Sequence, residues 1–357
     1  MNNQLPALTA LRGIAALFIL IHHTLGVFLP ETGQYVGQFT PFIKKSYLWV
    51  DFFFMLSGYV LMHVYHKTFE TAFRSQQYKA FIFSRFARIY PLHLTLLLCF
   101  AGLALLQTVY HAGPGFTGQQ SLFSLATNLT LLQAIHHSSW NEPAWAISAQ
   151  WLLYFFVPFI ILLSKRTNRF IDFAAVFLSF LVLFLLNRWI GHLDFVGWKS
   201  LVRCGAEMMT GILIYRYQSL IPWKRHITAT SLTIGLMAIV LVSIYLPINH
   251  TITVCIFPLL IISASNISGD SVFNRPALLF LGTISYSLYM IHWFFIMLFN
   301  TISTLITGSA LHLNFTLFQL FPISIAFIIM NILIASLCYK HVELPQRIGV
   351  RKLIMGL

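Results

Sequence analysis

Charge is what this chain has least of. Asp, Glu, Lys and Arg together make up 9% of its 357 residues, against roughly a quarter in soluble globular domains. So few charges cannot cover a surface that faces water, which excludes a water-soluble fold. Cysteine is scarce as well. Cys99, Cys204, Cys255 and Cys338 stand far apart in apolar runs with no CxxC or CxxH spacing, so they read as small buried hydrophobes rather than disulfides or metal ligands. The sequence contains no G-x-S-x-G elbow, no P-loop, no G-x-G-x-x-G and no HExxH. Among the 14 histidines, His63 and His66 come nearest to a metal-ligand spacing, and no metal site is expected. No linker sets off a soluble module. No internal repeat is visible, which weakens an inverted-repeat transporter.

Apolar residues fill the place of the missing charges. They make up 58% of the chain, with 34 Phe, and the mean hydropathy is +0.79. Disordered chains are poor in aromatics, so disorder is excluded. The apolar segments are long and do not alternate, which excludes a β-barrel. The expected fold is an all-α polytopic integral membrane protein. Runs of about 20 apolar residues span a bilayer core of about 30 Å. Ten occur, at about 8–28, 47–66, 91–111, 146–164, 170–189, 201–218, 227–246, 250–265, 277–299 and 316–339. The first run has no basic segment before it and no A-x-A site after it, so it reads as a retained helix rather than a signal peptide. With a cytoplasmic N-terminus, only Lys44, Lys45, Arg188, Lys199 and Arg203 fall outside, and the other loop and tail Lys and Arg, Lys224 and Arg225 among them, fall inside. The net charge of +13 then records a positive-inside bias rather than nucleic-acid binding. These features predict about ten transmembrane helices, both termini cytoplasmic, and one membrane domain over 1–357 with no fused soluble domain.

Ionisable groups within spans are expensive and mark candidate sites. Arg12 and His23 lie eleven residues apart, about 16 Å along a helix and only about 20° off one face, while His22 points about 100° away. An Arg-then-His line suits an elongated anionic ligand entering from inside. Otherwise Arg12 snorkels to the interface and His23 is a core histidine. Asp51, near the outer start of the second span, lies at a depth where it either orients His23 or caps its own helix. Arg85 and Arg88, three apart before Pro91, either bind phosphates or attract lipid headgroups. Trp145, Ser148, Gln150 and Tyr154 line the outer start of the fourth span. They either hold a hydroxylated acceptor, with Trp145 or Trp151 stacking on a sugar, or form an aromatic belt. Tyr286, Tyr289 and His292 follow one face of the ninth span, and Glu343 is placed to pair with an inner arginine. The outer His136–His137 stretch is a ligand-facing or ordinary loop.

Six segments together resemble the membrane-bound acyltransferase 3 family, over Leu8 to Pro345. Leu11-Arg12-Gly13 through His23 resembles its Arg-x10-His signature, and Val50-Asp51-Phe52-Phe53 through Ser57-Gly58-Tyr59 its VD-x-FF-x-LSG-F block. Arg85 to Pro91, at the end of the first inner loop, resembles its arginine–proline loop and Trp145 to Tyr154 its W-S-L-S-x-E-x-x-x-Y block. Ile284 to Trp293 resembles its ISYSLYLIHW block and Val342-Glu343-Leu344-Pro345 its closing VE-x-P. Gln150 stands where the family often has Glu, so hydrogen bonding rather than base chemistry is expected there.

The resemblance implies an enzyme of the bacterial inner membrane that takes an acyl group, most often acetyl, from cytoplasmic acetyl-CoA. The group passes to a hydroxyl of a surface polysaccharide or lipid-linked glycan, such as the O-antigen of lipopolysaccharide. Arg12, Arg85 and Arg88 would hold the CoA phosphates. His23, with Asp51, would remove the acceptor proton or itself be acylated. Trp145, Ser148, Gln150, Tyr154, Tyr286 and His292 would meet substrate, and Ser57, Gly58 and Glu343 would be structural. Membrane lipid is the expected partner. A transporter of acyl groups or glycans, a succinyl donor, and a peptidoglycan or antibiotic acceptor remain open at this stage.

Overall fold

The computed structural model describes residues 5–136, 138–218, 226–267 and 269–355. Lys224, Arg225 and His137 lie outside the described residues, so the charge reading at those positions and the second histidine of the outer pair are not placed. Seventeen α-helices are found among the described residues. They are α1 (Pro6–His23), α2 (Pro30–Gly37), α3 (Phe42–Lys45), α4 (Trp49–Phe69), α5 (Ser75–Tyr110), α6 (Leu122–Leu129), α7 (Gln133–His136), α8 (Trp145–Tyr154) and α9 (Val157–Ser164). There follow α10 (Arg169–Ile190), α11 (Trp198–Tyr217), α12 (His226–Tyr245), α13 (His250–Val254), α14 (Phe257–Ser265), α15 (Pro276–Thr307), α16 (Leu317–Cys338) and α17 (Leu344–Met355).

The all-α membrane fold is as expected, and six helices are long and apolar enough to cross a bilayer. A seventh crossing results if α8 and α9, bent by 53° against each other, form one span. The bend has a local cause. Pro158 has no N–H for the carbonyl of Tyr154, four residues back, and α8 ends at Tyr154. Pro258 does the same to Val254, where α13 ends, so the segment expected at 250–265 is two short helices. The segment expected at 201–218 is helical as α11, but it is too polar to count by composition. Its Arg203, Glu207 and Thr210 are buried inside the protein. The third segment was expected from residue 91. Instead α5 runs unbroken through Pro91 from Ser75, so Arg85 and Arg88 sit within a helix.

Two helix pairs form the centre. α1 packs along α15, and α4 along α11. Both crossings are close because both partners present glycine. A side chain on Gly58 would run into the Met208 carbonyl, and one on Gly211 into the Met55 carbonyl. Gly13 likewise meets the backbone of Gly282, and Gly282 that of Thr9. Small residues at a crossing let backbones touch, which strengthens van der Waals packing where lipid supplies no hydrophobic drive. α1 does not end abruptly at His23. It continues as a π-turn over Thr24–Phe28, where Thr24 Oγ1 donates to the Leu20 carbonyl at 2.7 Å. The four cysteines are all free thiols. Cys204 is buried as expected, whereas Cys99, on a face of α5 turned away from the core, and Cys255, in the turn between α13 and α14, are exposed.

Candidate functional site

A cavity of about 160 Å³ opens between the two central pairs and is closed off by α5 and α8. Arg12 comes from α1, Phe53 and Ser57 from α4, Arg85 and Arg88 from α5, Gln150 and Tyr154 from α8, and Tyr286 and Tyr289 from α15. A second cavity of about 470 Å³ lies towards the N-terminal end of α1, lined by Pro6, His63, Tyr339 and Arg347 among others. Arg12, Leu56 and Val60 line both. The two chambers therefore lie on either side of Arg12.

Arg12 is anchored rather than snorkelling. Its Nε and Nη2 donate to the Gly282 carbonyl at 3.2 and 2.7 Å, an oxygen that also accepts from Ser285 Oγ at 2.9 Å. The Arg85 Nη2 donates to Tyr65 Oη at 3.1 Å, and its guanidinium lies 5.5 Å from the Tyr65 ring centre. Arg88 has no hydrogen bond or ion pair among the described residues. Glu343 does pair with an arginine. Its Oε1 lies 3.3 Å from Arg347 Nη1, and its Oε2 accepts from Ser287 Oγ at 3.2 Å. One carboxylate thus stands among four arginines around the two chambers, an arrangement that favours an anion with several phosphate oxygens.

At the other end of α1, His23 Nδ1 lies 2.9 Å from His292 Nε2 of α15. The two rings lie nearly coplanar, edge to edge, with their centres 4.9 Å apart, and the Trp293 ring meets His23 at a steep angle with centres 5.3 Å apart. His22 turns the other way, with Nδ1 2.5 Å from the Ile43 carbonyl. His292 is fully buried, and His23 is partly exposed. Among the described residues that line the two cavities, neither histidine appears. The Arg12 chamber ends at Val50, Phe53 and Tyr289. The Phe53 and Tyr289 rings meet edge-on at 6.0 Å, and Tyr289 in turn lies 6.1 Å from His292. Tyr289 thus lies between the chamber it lines and the His292 ring.

Asp51 does not orient His23. It is fully buried and grips Arg203 of α11, with Nε–Oδ1 at 2.9 Å and Nη2–Oδ2 at 2.5 Å. Arg203 also donates from Nη1 to the Leu193 carbonyl at 2.6 Å, and Glu207 Oε1 lies 3.6 Å from its Nε. Counting charges by loop placed Arg203 outside, when it lies inside the protein. The available signal was the i, i+4 pair of Arg203 and Glu207 within an expected span.

The fourth-span residues divide between cavity and core. Gln150 and Tyr154 line the chamber. Trp145 is buried with its ring 5.7 Å from the Arg203 guanidinium, so it has no free face for a sugar. Ser148 is fully buried, donates to the Leu131 carbonyl at 2.7 Å and accepts from Ala134 N at 3.0 Å, so it joins α8 to the α6–α7 segment. Tyr286 lines the chamber and donates to the Ile89 carbonyl at 2.6 Å, while Tyr289 donates to the Pro143 carbonyl at 2.8 Å. Ser57 lines the chamber, and Gly58 makes the α4–α11 crossing.

The family profile described as an acyltransferase domain, of the acyltransferase 3 type, matches residues 5–340. A protein of Rhizobium radiobacter described as "Protein 2 in picA locus" is 32% identical over 154 residues, which cover 41% of this chain and 74% of that protein. No solved structure matches the chain.

Proposed function

This chain belongs to the acyltransferase 3 family as a multi-pass membrane acyltransferase, and from that premise we propose that it is an O-acetyltransferase of surface glycans. It takes acetyl from acetyl-CoA on the cytoplasmic side and esterifies a hydroxyl of a polysaccharide or lipid-linked glycan, such as the O-antigen of lipopolysaccharide. It works in the bacterial inner membrane with ten crossings and both termini in the cytoplasm. One observation carries the reading: two chambers share Arg12 as a lining residue, and the one beyond it is lined by Arg85 and Arg88. The arginines suit the nucleotide phosphates of the donor, and Gln150 and Tyr154 offer polar contacts along its arm. The chamber's narrowness and its aromatic end favour a short acyl group. Transfer at His23 requires the ring contact of Phe53 and Tyr289 at the end of the chamber to open.

At His23, the imidazole takes the proton of the acceptor hydroxyl as that oxygen attacks the thioester carbonyl. The ester C–O bond forms, the C–S bond breaks, and the proton leaves with the thiolate as CoA thiol. Such general-base assistance is worth about 10²–10⁴-fold. The test is His23→Ala expressed at the wild-type level. Loss of glycan O-acetyl groups by mass spectrometry is expected, and an unchanged acetyl content sinks the assignment. Release of free CoA by the purified protein only when acceptor is present separates transfer from transport.

A further inference from the structure

We infer that His292 is a positioning residue that fixes the tautomer of His23, so that the basic lone pair of His23 lies on Nε2. The inference begins at a backbone carbonyl, which can only accept hydrogen bonds. His292 Nδ1 lies 3.2 Å from the Leu288 carbonyl, one turn back along α15. In a neutral ring that contact puts the proton on Nδ1 and leaves Nε2 as an acceptor. The partner of this Nε2, at 2.9 Å, is Nδ1 of His23. His23 must therefore donate from Nδ1, and its single ring proton is accounted for.

The neighbouring groups do not compete. His22 spends its Nδ1 on the Ile43 carbonyl, and the indole of Trp293, packed at 5.3 Å against His23, has no nitrogen lone pair to accept a hydrogen bond. Asp51 is held by Arg203 on both oxygens, and Glu31, the carboxylate nearest in sequence, has Oε1 2.6 Å from His312 Nδ1. His292 thus takes the place that a carboxylate fills in a Ser-His-Asp triad, with one difference. It is a neutral acceptor, so it orients the base without adding a charge inside the membrane. When Nε2 of His23 takes up a proton, the Nδ1–H···Nε2 bond to His292 remains intact. The pair therefore needs no rearrangement during a proton transfer.

The catalytic meaning rests on the proposed role of His23 as the base, whereas the tautomer itself does not, and the experiment separates the two. The full-length protein is labelled with ¹⁵N-histidine in lipid, and the His23 ring signals are identified by difference against His23→Gln. In the unsubstituted protein the bare nitrogen of His23 should be Nε2. A proton found on Nε2 of neutral His23 overturns the inference. In His292→Leu the Nδ1–H form should lose its dominance. In His292→Gln the amide oxygen replaces the imidazole as acceptor and should keep it. Acetyl transfer should follow the same order. His292→Leu should lower kcat by about 10–100-fold, less than the about 10²–10⁴-fold expected from losing the base itself, with KM for acetyl-CoA nearly unchanged. His292→Gln should restore most of that loss. An unaltered kcat in His292→Leu overturns the positioning role. If the spectra agree but His23→Ala still acetylates glycan, the proposed function fails and the tautomer assignment stands.

Discussion

Asp51 and Arg203 hold each other through two parallel hydrogen bonds with neither side chain reaching solvent. Removing one member of such a pair leaves a buried charge without its partner, at a cost of about 3–5 kcal/mol. Arg203→Leu strands two carboxyls, those of Asp51 and Glu207. The variant should show a clear fall in Tm in mild detergent, and combining it with Asp51→Leu should return part of the loss. A Tm for Arg203→Leu equal to that of the unsubstituted protein contradicts the pairing.

The α4–α11 crossing gives a second prediction. Gly58→Val drives a branched side chain into the backbone of Met208, and overpacking of this kind costs about 1–3 kcal/mol. Less folded protein in membranes and a lower Tm are expected. Gly102, which has nothing within contact distance of an added Cβ, should accept Ala with little change, and an equal effect at both positions counts against the crossing.

Arg88 offers a test of the anion chamber free of structural side effects, since it lines the chamber without a protein partner among the described residues. A charge-assisted hydrogen bond is worth about 1.5–3 kcal/mol. Arg88→Ala should therefore raise KM for acetyl-CoA about 10-fold or more while leaving Tm in place. Arg85→Ala should do both, because it also releases Tyr65 and Ser84. A KM unaffected by Arg88→Ala removes the phosphate role from that residue.

The aromatic end of the chamber predicts acyl-length selection. Phe53→Ala removes one of the two rings that meet at 6.0 Å. It should raise the rate with butyryl-CoA relative to acetyl-CoA. A ratio unchanged from the unsubstituted protein means that acyl length is set elsewhere.

Helical periodicity was a good guide within a helix and a poor one between helices. It placed Arg12 and His23 on one face, and both indeed reach the same neighbour, at Gly282 and His292 of α15. It also brought Arg85 and Arg88 together, and Glu343 found its arginine four residues on in Arg347. The partner of Asp51 was not legible. Two residues at matching depth need not face each other, and the arginine that claims Asp51 had been read as a loop charge. Trp145 and Ser148 followed the motif but turned inwards, since Arg203 and the Leu131 carbonyl offered them partners. The breaks before Pro158 and Pro258 were readable in principle from a missing N–H. Hydropathy windows average over them and report one span.

The contact between Gly13 and Gly282 leaves α1 and α15 no room to slide past each other. The guanidinium at one level and the imidazole at another are thereby mounted on a rigid rod, about 16 Å apart along its axis. Such a rod works as a gauge. A compound whose negative head and reactive carbonyl sit closer together than the gauge engages one mark or the other, never both. Reach then becomes a criterion of recognition in its own right, independent of the chemistry at either end.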